Sequence, residues 1–289
     1  YSNENGQFSA VTEEVAKSFN EFGIVNDVLV TDFDQDGDDD FIAVGEWSHV
    51  GLFENQDGRF VDIAEQSGLN DIKGWFFSLH ETDVNKDGLP DYLIGNVGMN
   101  TKFSASKEKP FKVYANDFDN NGSLDIVLSK KYKDEYVPVR GRECSSQQMP
   151  FIKDKFETFD EFAKASLTDI YGEGLANSVE FEANEFRSFV LLNKGNGVFD
   201  IEYLPNEAQL FPLLDAVIAD FNQDGFKDAV LIGNIYNTEV ETPRWDAGTG
   251  LVLYSNQKGG YLTSPTKKQE FFIDGNTKRL VQLEHKGLE

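Results

Sequence analysis

Asp32-Phe33-Asp34-Gln35-Asp36-Gly37-Asp38-Asp39-Asp40-Phe41-Ile42-Ala43-Val44 is a nine-residue acidic turn that runs straight into an apolar segment. Carboxylates stand at positions 1, 3 and 5 of the turn, glycine at 6 and another aspartate at 9. Oxygens at alternate positions, with a glycine to permit the sharp bend, let a short loop wrap a hard cation such as Ca²⁺. The same pattern, with asparagine at some positions, returns three times. The candidate ligands are Asp32, Asp34, Asp36 and Asp40; Asp83, Asn85, Asp87 and Asp91; Asp117, Asp119, Asn121 and Asp125; and Asp220, Asn222, Asp224 and Asp228. One such turn is commonplace. Four in one chain point to calcium, up to four ions, with a backbone carbonyl near position 7 completing each shell. The competing reading is four solvated acidic hairpins without metal.

The EF-hand also starts this way, but it needs a bidentate Glu at position 12 and a helix on either side. Position 12 here is Ala43, Ile94, Leu128 or Leu231, all apolar. The flanks, Phe41-Ile42-Ala43-Val44, Tyr92-Leu93-Ile94, Ile126-Val127-Leu128 and Ala229-Val230-Leu231-Ile232, read as short buried strands. Val28-Leu29-Val30, Val113-Tyr114 and Val217-Ile218 lead into three of the loops in the same style. Each loop is therefore expected at the tip of a β-hairpin, with the ninth-position aspartate opening the outgoing strand.

A second motif, Asn-x₂₋₃-Gly-x-Phe/Tyr, recurs at Asn3-Gly6-Phe8, Asn55-Gly58-Phe60, Asn193-Gly197-Phe199 and Asn256-Gly259-Tyr261. It reads as a hairpin turn with an aromatic on the returning strand. From Asn3 to Asp32, Asn55 to Asp83 and Asn193 to Asp220 the spacing is 29, 28 and 27 residues, so the two motifs keep step. A unit of about 50 residues with four short strands is the period of propeller blades. The expected fold is all-β: a β-propeller, or part of one, with blade repeats over 1–139 and 186–289. Residues 140–185 are expected to form a helical excursion. There Thr158 and Glu161 make a capping box, Phe159, Phe162, Ala163, Leu167 and Ile170 keep helical spacing, and Gly172 is the stop.

The loops resemble the FG-GAP/VCBS repeats of calcium-binding β-propellers, the repeat also found in integrin α-subunit heads. The stretch from Arg140-Gly141-Arg142-Glu143-Cys144 to Phe151, with Asp169-Ile170-Tyr171-Gly172 after it, is similar to the large VCBS repeat proteins of Bacteroidota, related to the ASPIC/UnbV group. No Gly-Ala-Pro tripeptide accompanies Phe22-Gly23, a departure from the integrin-like subtype. The resemblance implies a secreted or surface-attached binding protein, often encoded beside outer-membrane nutrient-uptake (SusCD-like) systems, in a Bacteroidota-type bacterium. It implies no particular ligand, and the partner is either a protein, such as a transporter assembly, or a glycan.

Composition narrows the classes further. Against 51 Asp and Glu stand 26 Lys and Arg, a formal charge of −25. Such a surface has no basic patch for a phosphate backbone and no attraction to anionic lipid. Four Ca²⁺ would bring the charge to −17. No apolar run reaches the roughly 18–20 residues that span a bilayer. The single cysteine, Cys144, rules out an internal disulfide framework and a Cys-built zinc site. His49, His80 and His285 lack metal-ligand spacing, and no Walker loop, Rossmann fingerprint or Gly-x-Ser-x-Gly elbow occurs. A non-catalytic module is expected; a polysaccharide-active enzyme and a purely structural segment are the alternatives.

Two contact regions stand out. Arg140, Arg142, Glu143, Gln147 and Gln148 are candidates for touching a partner, or for a loop tied down by its own salt bridges. Trp47, Trp75-Phe76-Phe77 and Trp245 fall near expected blade edges, as core or as an aromatic platform. Because Tyr1 begins just before a turn motif and a fifth loop is due near residue 284, the chain is expected to be a piece of a longer one.

Overall fold

The computed structural model describes residues 1–263 and 271–283. The chain forms two compact units: Tyr1–Lys102 with Phe186–Glu289, and Phe103–Glu185. In the first unit a hairpin of β1 (Ser2–Glu4) and β2 (Gln7–Ser9) precedes the one-turn helix α1 (Thr12–Val15). β3 (Ile24–Thr31), β4 (Asp40–His49), β5 (Gly51–Gln56) and β6 (Arg59–Asp62) then pair in sequence as an antiparallel meander, the first sheet. β7 (Lys73–Thr82) and β8 (Asp91–Asn96) begin a second meander, and the chain then leaves for the other unit.

That second unit carries β9 (Phe111–Asn116), β10 (Asp125–Tyr132) and β11 (Glu135–Pro138). Five short helices follow: α2 (Arg142–Gln148), α3 (Phe151–Lys155), α4 (Phe159–Lys164), α5 (Leu167–Tyr171) and α6 (Glu173–Ala176). β12 (Val179–Ala183) closes the sheet beside β9. Back in the first unit, β13 (Phe189–Asn193) joins β8 and pairs with β14 (Phe199–Tyr203). The third meander is β15 (Asp215–Ala219), β16 (Asp228–Ile232), β17 (Leu251–Ser255) and β18 (Tyr261–Thr263).

The protein is all-β with a few short helices, and all four aspartate loops sit at hairpin tips as the flanking runs require. The helices α2–α6 lie within the compact unit Phe103–Glu185, which also carries the third aspartate loop. After that unit, β13 and β14 supply the Asn-turn hairpin of the second sheet. One expectation needs correcting. The expected single helix is two, because Ser166 and Asp169 form another capping box that restarts the chain after α4. The Thr158–Glu161 box and the stop at Gly172 are present. Phe162, Leu167 and Ile170 are buried, whereas Phe159 is 64% exposed under the Arg142 guanidinium.

Period-2 alternation explains how the sheets of the first unit stack. Counting from the ninth-position aspartate, residues two and four along (Ile42, Val44) face one core with Tyr92 and Ile94, one and three along in the second sheet. Leu93, two along, faces the next core with Ala229 and Leu231 of the third sheet. Even positions thus look toward the following sheet and odd positions toward the preceding one, the near-continuous apolar pattern of strands covered on both faces. On the first sheet the odd face (Ala43, Phe53, Phe41) is covered by Phe19 and Phe22 from the segment before β3. In the other unit, Met149, Ile152, Phe162, Leu167 and Ile170 of the helical segment cover Tyr114 and Val127.

Glycines mark the closest crossings. A Cβ at Gly45 would lie 1.9 Å from the Ile24 carbonyl oxygen, with only backbone to give way. Gly45→Ala is expected to cost on the order of 3 kcal/mol through forced backbone shifts, read as a lower urea midpoint at unchanged slope. No helix among the described residues is long and apolar enough to cross a membrane.

Candidate metal centres

Each aspartate loop is wound by one set of hydrogen bonds. The position-1 carboxylate accepts the amide of the position-6 glycine: Asp32 from Gly37 at 3.1 Å, Asp83 from Gly88 at 3.2 Å, Asp117 from Gly122 at 2.9 Å and Asp220 from Gly225 at 2.8 Å. Position 5 accepts the amide of position 7, as in Asp36 from Asp38 at 3.0 Å and Asn121 from Ser123 at 2.7 Å. Two residues per loop are left-handed. Gly37, Gly88, Gly122 and Gly225 have φ from 85° to 99°, and position 4 (Gln35, Lys86, Asn120, Gln223) sits at 58–61°. The glycine tolerates this freely; position 4 does so because the surrounding bonds over-determine it.

The winding turns the carboxylates inward. Oxygens of Asp32, Asp34 and Asp40 lie within 4.8 Å of one another, and so do those of Asp117, Asp119 and Asp125. In the other two loops position 3 is an amide. Asn85 and Asn222 turn their NH₂ to Asp87 (2.8 Å) and Asp224 (3.2 Å). The ninth-position aspartates are buried: Asp40, Asp91, Asp125 and Asp228 are 0–3% exposed. Burial pushes the Asp40 and Asp91 carboxyls up to about 6, against the backbone amides that favour their charged forms. Burial raises Asp125 and Asp228 as well, and Asp34, where Asp36, Glu54 and Asp32 add repulsion.

These residues fit a hard divalent cation. The carboxylates offer oxygen only, those of the first and third loops converge, and in the first loop Asp32 Oδ1 and Asp38 Oδ1 are buried with no hydrogen-bond partner among the described residues. A buried carboxylate oxygen with no donor is costly unless a cation supplies the missing charge. Asp32, Asp34, Asp36 and Asp40, and their counterparts in the other loops, would hold the ion.

The ninth aspartate does more than face the loop. One oxygen accepts the amide of position 2 and the other a donor beyond the loop. In the first unit that donor is a backbone amide at or next to the end of the third strand: Asn55 to Asp40 at 2.8 Å, Asn193 to Asp91 at 3.0 Å and Ser255 to Asp228 at 3.0 Å. Asn55 and Asn193 are the asparagines of the turn motif, and Ser255 directly precedes Asn256. Each of these bonds joins a turn strand to the aspartate loop of its own sheet, whereas the 27–29-residue spacing runs on to the loop of the next one. In the second unit Gln148 Nε2 on α2 takes that place, 3.2 Å from Asp125.

The proposed contact residues divide accordingly. Gln148 is a brace for Asp125, with Arg140 Nη1 3.4 Å from its oxygen. Arg142 donates to the Phe156 carbonyl at 2.7 Å and the Lys153 carbonyl at 3.4 Å, tying α2 to α3. Glu143 and Gln147 are exposed, Glu143 beside Lys153 at 3.0 Å. The three tryptophans come together: Trp47 and Trp75 ring centroids are 5.2 Å apart, Trp75 and Trp245 5.6 Å. Trp47 is the bulged residue where β4 meets β7, with φ 61°. His49 bonds Asp62 at 2.7 Å and His80 accepts the Ala216 amide at 3.1 Å. His285 and the position of the expected fifth loop lie outside the described residues. The roles of Ser255 and Gln148 had no local signal, since their partners are remote in sequence.

Antiparallel meanders carrying one aspartate loop at each first hairpin define an all-β repeat protein. Residues 32–94, from the first loop through the strand after the second, match the family model described as an FG-GAP-like repeat. Cartilage acidic protein 1 of Xenopus tropicalis is 23% identical over 258 residues, 81% of this chain and 34% of that protein, so the chain spans about a third of its relative's length. A solved structure of an Agrocybe aegerita lectin, described as recognising non-reducing terminal N-acetylglucosamine, aligns at 16% identity over 83% of this chain and 66% of that one, with a TM-score of 0.18.

Proposed function

We propose that this chain is a calcium-stabilised, non-catalytic binding or assembly module, part of a β-propeller in a longer secreted or surface-attached protein. The observation that carries the reading is the convergence of carboxylates in the first and third loops, with a buried ninth aspartate behind all four. Such a loop is too well braced to be an ordinary solvated turn, and its ion would stiffen the hairpin rather than meet a substrate. Calcium at the roughly 10⁻⁴–10⁻³ M affinities of extracellular modules suits a protein outside the cell. By resemblance, that place is the surface of a Bacteroidota-type bacterium beside an outer-membrane uptake complex. The exposed side of α2, Glu143 and Gln147, is the proposed contact with a protein or glycan. Arg140, Arg142 and Gln148 hold it in shape.

Binding to a glycan array and to purified uptake-complex components, each with Ca²⁺ and with EGTA, tests the reading. Calcium-dependent capture without release of reducing ends is expected, weakened at least threefold by Glu143→Ala with Gln147→Ala at unchanged melting temperature. Reducing-end release that tracks the protein through purification would make it a polysaccharide-active enzyme and overturn the proposal.

A further inference from the structure

The hydrogen bonds of the ninth aspartates do not stop at their own sheets. In the first loop the Phe33 amide donates to Asp40 Oδ2 at 3.1 Å, while the Phe33 carbonyl accepts from Asn193 Nδ2 at 2.7 Å. Asn193 ends the third strand of the second sheet, and its own amide donates to Asp91 Oδ1 at 3.0 Å. The arrangement then repeats one sheet along. The Val84 amide donates to Asp91 Oδ2 at 3.0 Å, and the Val84 carbonyl accepts from Ser255 Oγ at 3.1 Å. The Ser255 amide donates to Asp228 Oδ1 at 3.0 Å, and Asp228 Oδ2 accepts from the Phe221 amide at 3.1 Å. Asp40, Phe33, Asn193, Asp91, Val84, Ser255 and Asp228 are all at most 9% exposed. Three loops of the first unit are thus joined by one unbroken, buried hydrogen-bonded ladder.

Asn and Ser make the same link with different side chains, and neither belongs to an aspartate motif. The position-2 residue of the first two loops is gripped on both sides: its N–H by the ninth aspartate, its C=O by the next sheet. Buried polar chains of this kind are costly when half-made and rigid when complete. Ordering one loop therefore lowers the cost of ordering the next, which is positive coupling without a large movement. Two surface contacts run alongside, Gln35 Nε2 to the Gly88 carbonyl at 2.9 Å and the Lys86 ammonium 5.0 Å from the Phe226 ring centroid.

We propose that Asn193 and Ser255 are positioning residues for the aspartate loop of the preceding sheet, so that the loops at Asp32, Asp83 and Asp220 take up divalent cations as a coupled set. This rests on the reading of the loops as cation sites.

Calorimetric Ca²⁺ titration of the 289-residue protein tests it. Asp83→Ala removes the position-1 ligand of the middle loop. It is expected to weaken binding at the two outer loops by about fivefold or more, the lower range of measured site–site coupling. In Ser255→Ala the same Asp83→Ala change should leave the Asp220 loop's affinity within twofold, and Ser255→Thr, which restores a hydroxyl, should restore the coupling. Amide exchange gives a second readout that a loss of global stability does not imitate. Calcium should protect the Phe33 and Phe221 amides in the wild type, and less in Asp83→Ala although neither residue lies in the altered loop. Asn193→Ala serves as the matching cut on the other side; if it fails to fold, the small Ser255 change still decides the question. Normal Ca²⁺ binding with outer-loop affinities unchanged by Asp83→Ala overturns the coupling alone. No binding to the wild-type protein overturns the cation reading, and the coupling with it.

Discussion

Removing calcium is expected to lower the melting temperature by roughly 10–40 °C at pH 7. A ligand that binds only the folded state contributes RT ln(1 + [L]/Kd), about 1.4–2.7 kcal/mol per site at 10–100 times Kd. Four sites then supply about 6–11 kcal/mol in roughly 10 mM Ca²⁺, and each kcal/mol is worth about 2–4 °C for units of this size. Calorimetric scans with Ca²⁺ and with EGTA measure it; coincident scans and a metal-free elemental analysis would sink the assignment. The pH dependence has a definite sign. Without the ion, Asp40 and Asp91 have folded-state values raised to about 6 by burial. Between an unfolded value of about 3.9 and 6 the folded state then binds more protons, so apo stability rises as pH falls and is lost as pH rises through 6. The ion favours the ionised carboxylates and is displaced by acid. The gap between calcium-bound and calcium-free melting temperatures should therefore shrink steadily from pH 7 to pH 5.

Asp91→Ala is expected to destabilise the protein by about 2–4 kcal/mol even in EGTA. Asp91 is 0% exposed and is the acceptor for two buried amides, Val84 and Asn193, neither of which can reach water once the carboxylate is gone. Each unsatisfied buried donor costs about 1–3 kcal/mol, offset in part because the variant no longer buries a carboxylate. Asp87→Ala, at an exposed loop position, removes a proposed ligand without touching that frame. It should leave EGTA stability within about 0.5 kcal/mol of wild type and reduce only the calcium-dependent part. Chemical denaturation in EGTA separates the two. Equal losses for both variants would mean the ninth aspartate is no more structural than the rest of the loop.

Much of this was legible in the chain. Asp-x-Asp-x-Asp-Gly followed by Phe41-Ile42-Ala43-Val44 dictates a tight, metal-suited turn into a strand, and all four loops obey it. The phase between the aspartate loops and the Asn turns signals a shared unit, and within each sheet of the first unit a bond from the turn strand to the ninth aspartate ties the two motifs together. Spacing alone leaves the interval after Asp91 open. It cannot say which later hairpin completes a sheet, and here β13 joins β8 only after the whole second unit. The helical stretch was read as one helix because apolar periodicity runs across Ala165-Ser166, while the Ser166–Asp169 cap that breaks it is a stronger local signal.

The sequence by itself determined what is local: turn geometry from glycine and aspartate spacing, strand identity from period-2 apolar runs, capping from Ser/Thr-x-x-Asp/Glu, and the oxygen-only chemistry of the loops. These follow from forces acting over a few residues. Tertiary structure alone decided the partners. It brought Trp47, Trp75 and Trp245 together, made Gln148 and Arg142 braces, and drew Asn193 to Asp91 and Ser255 to Val84 across 102 and 171 residues of chain. A buried amide, hydroxyl or carboxylate must find some complement, and its chemistry states that need. Which complement it finds is set by how whole sheets stack.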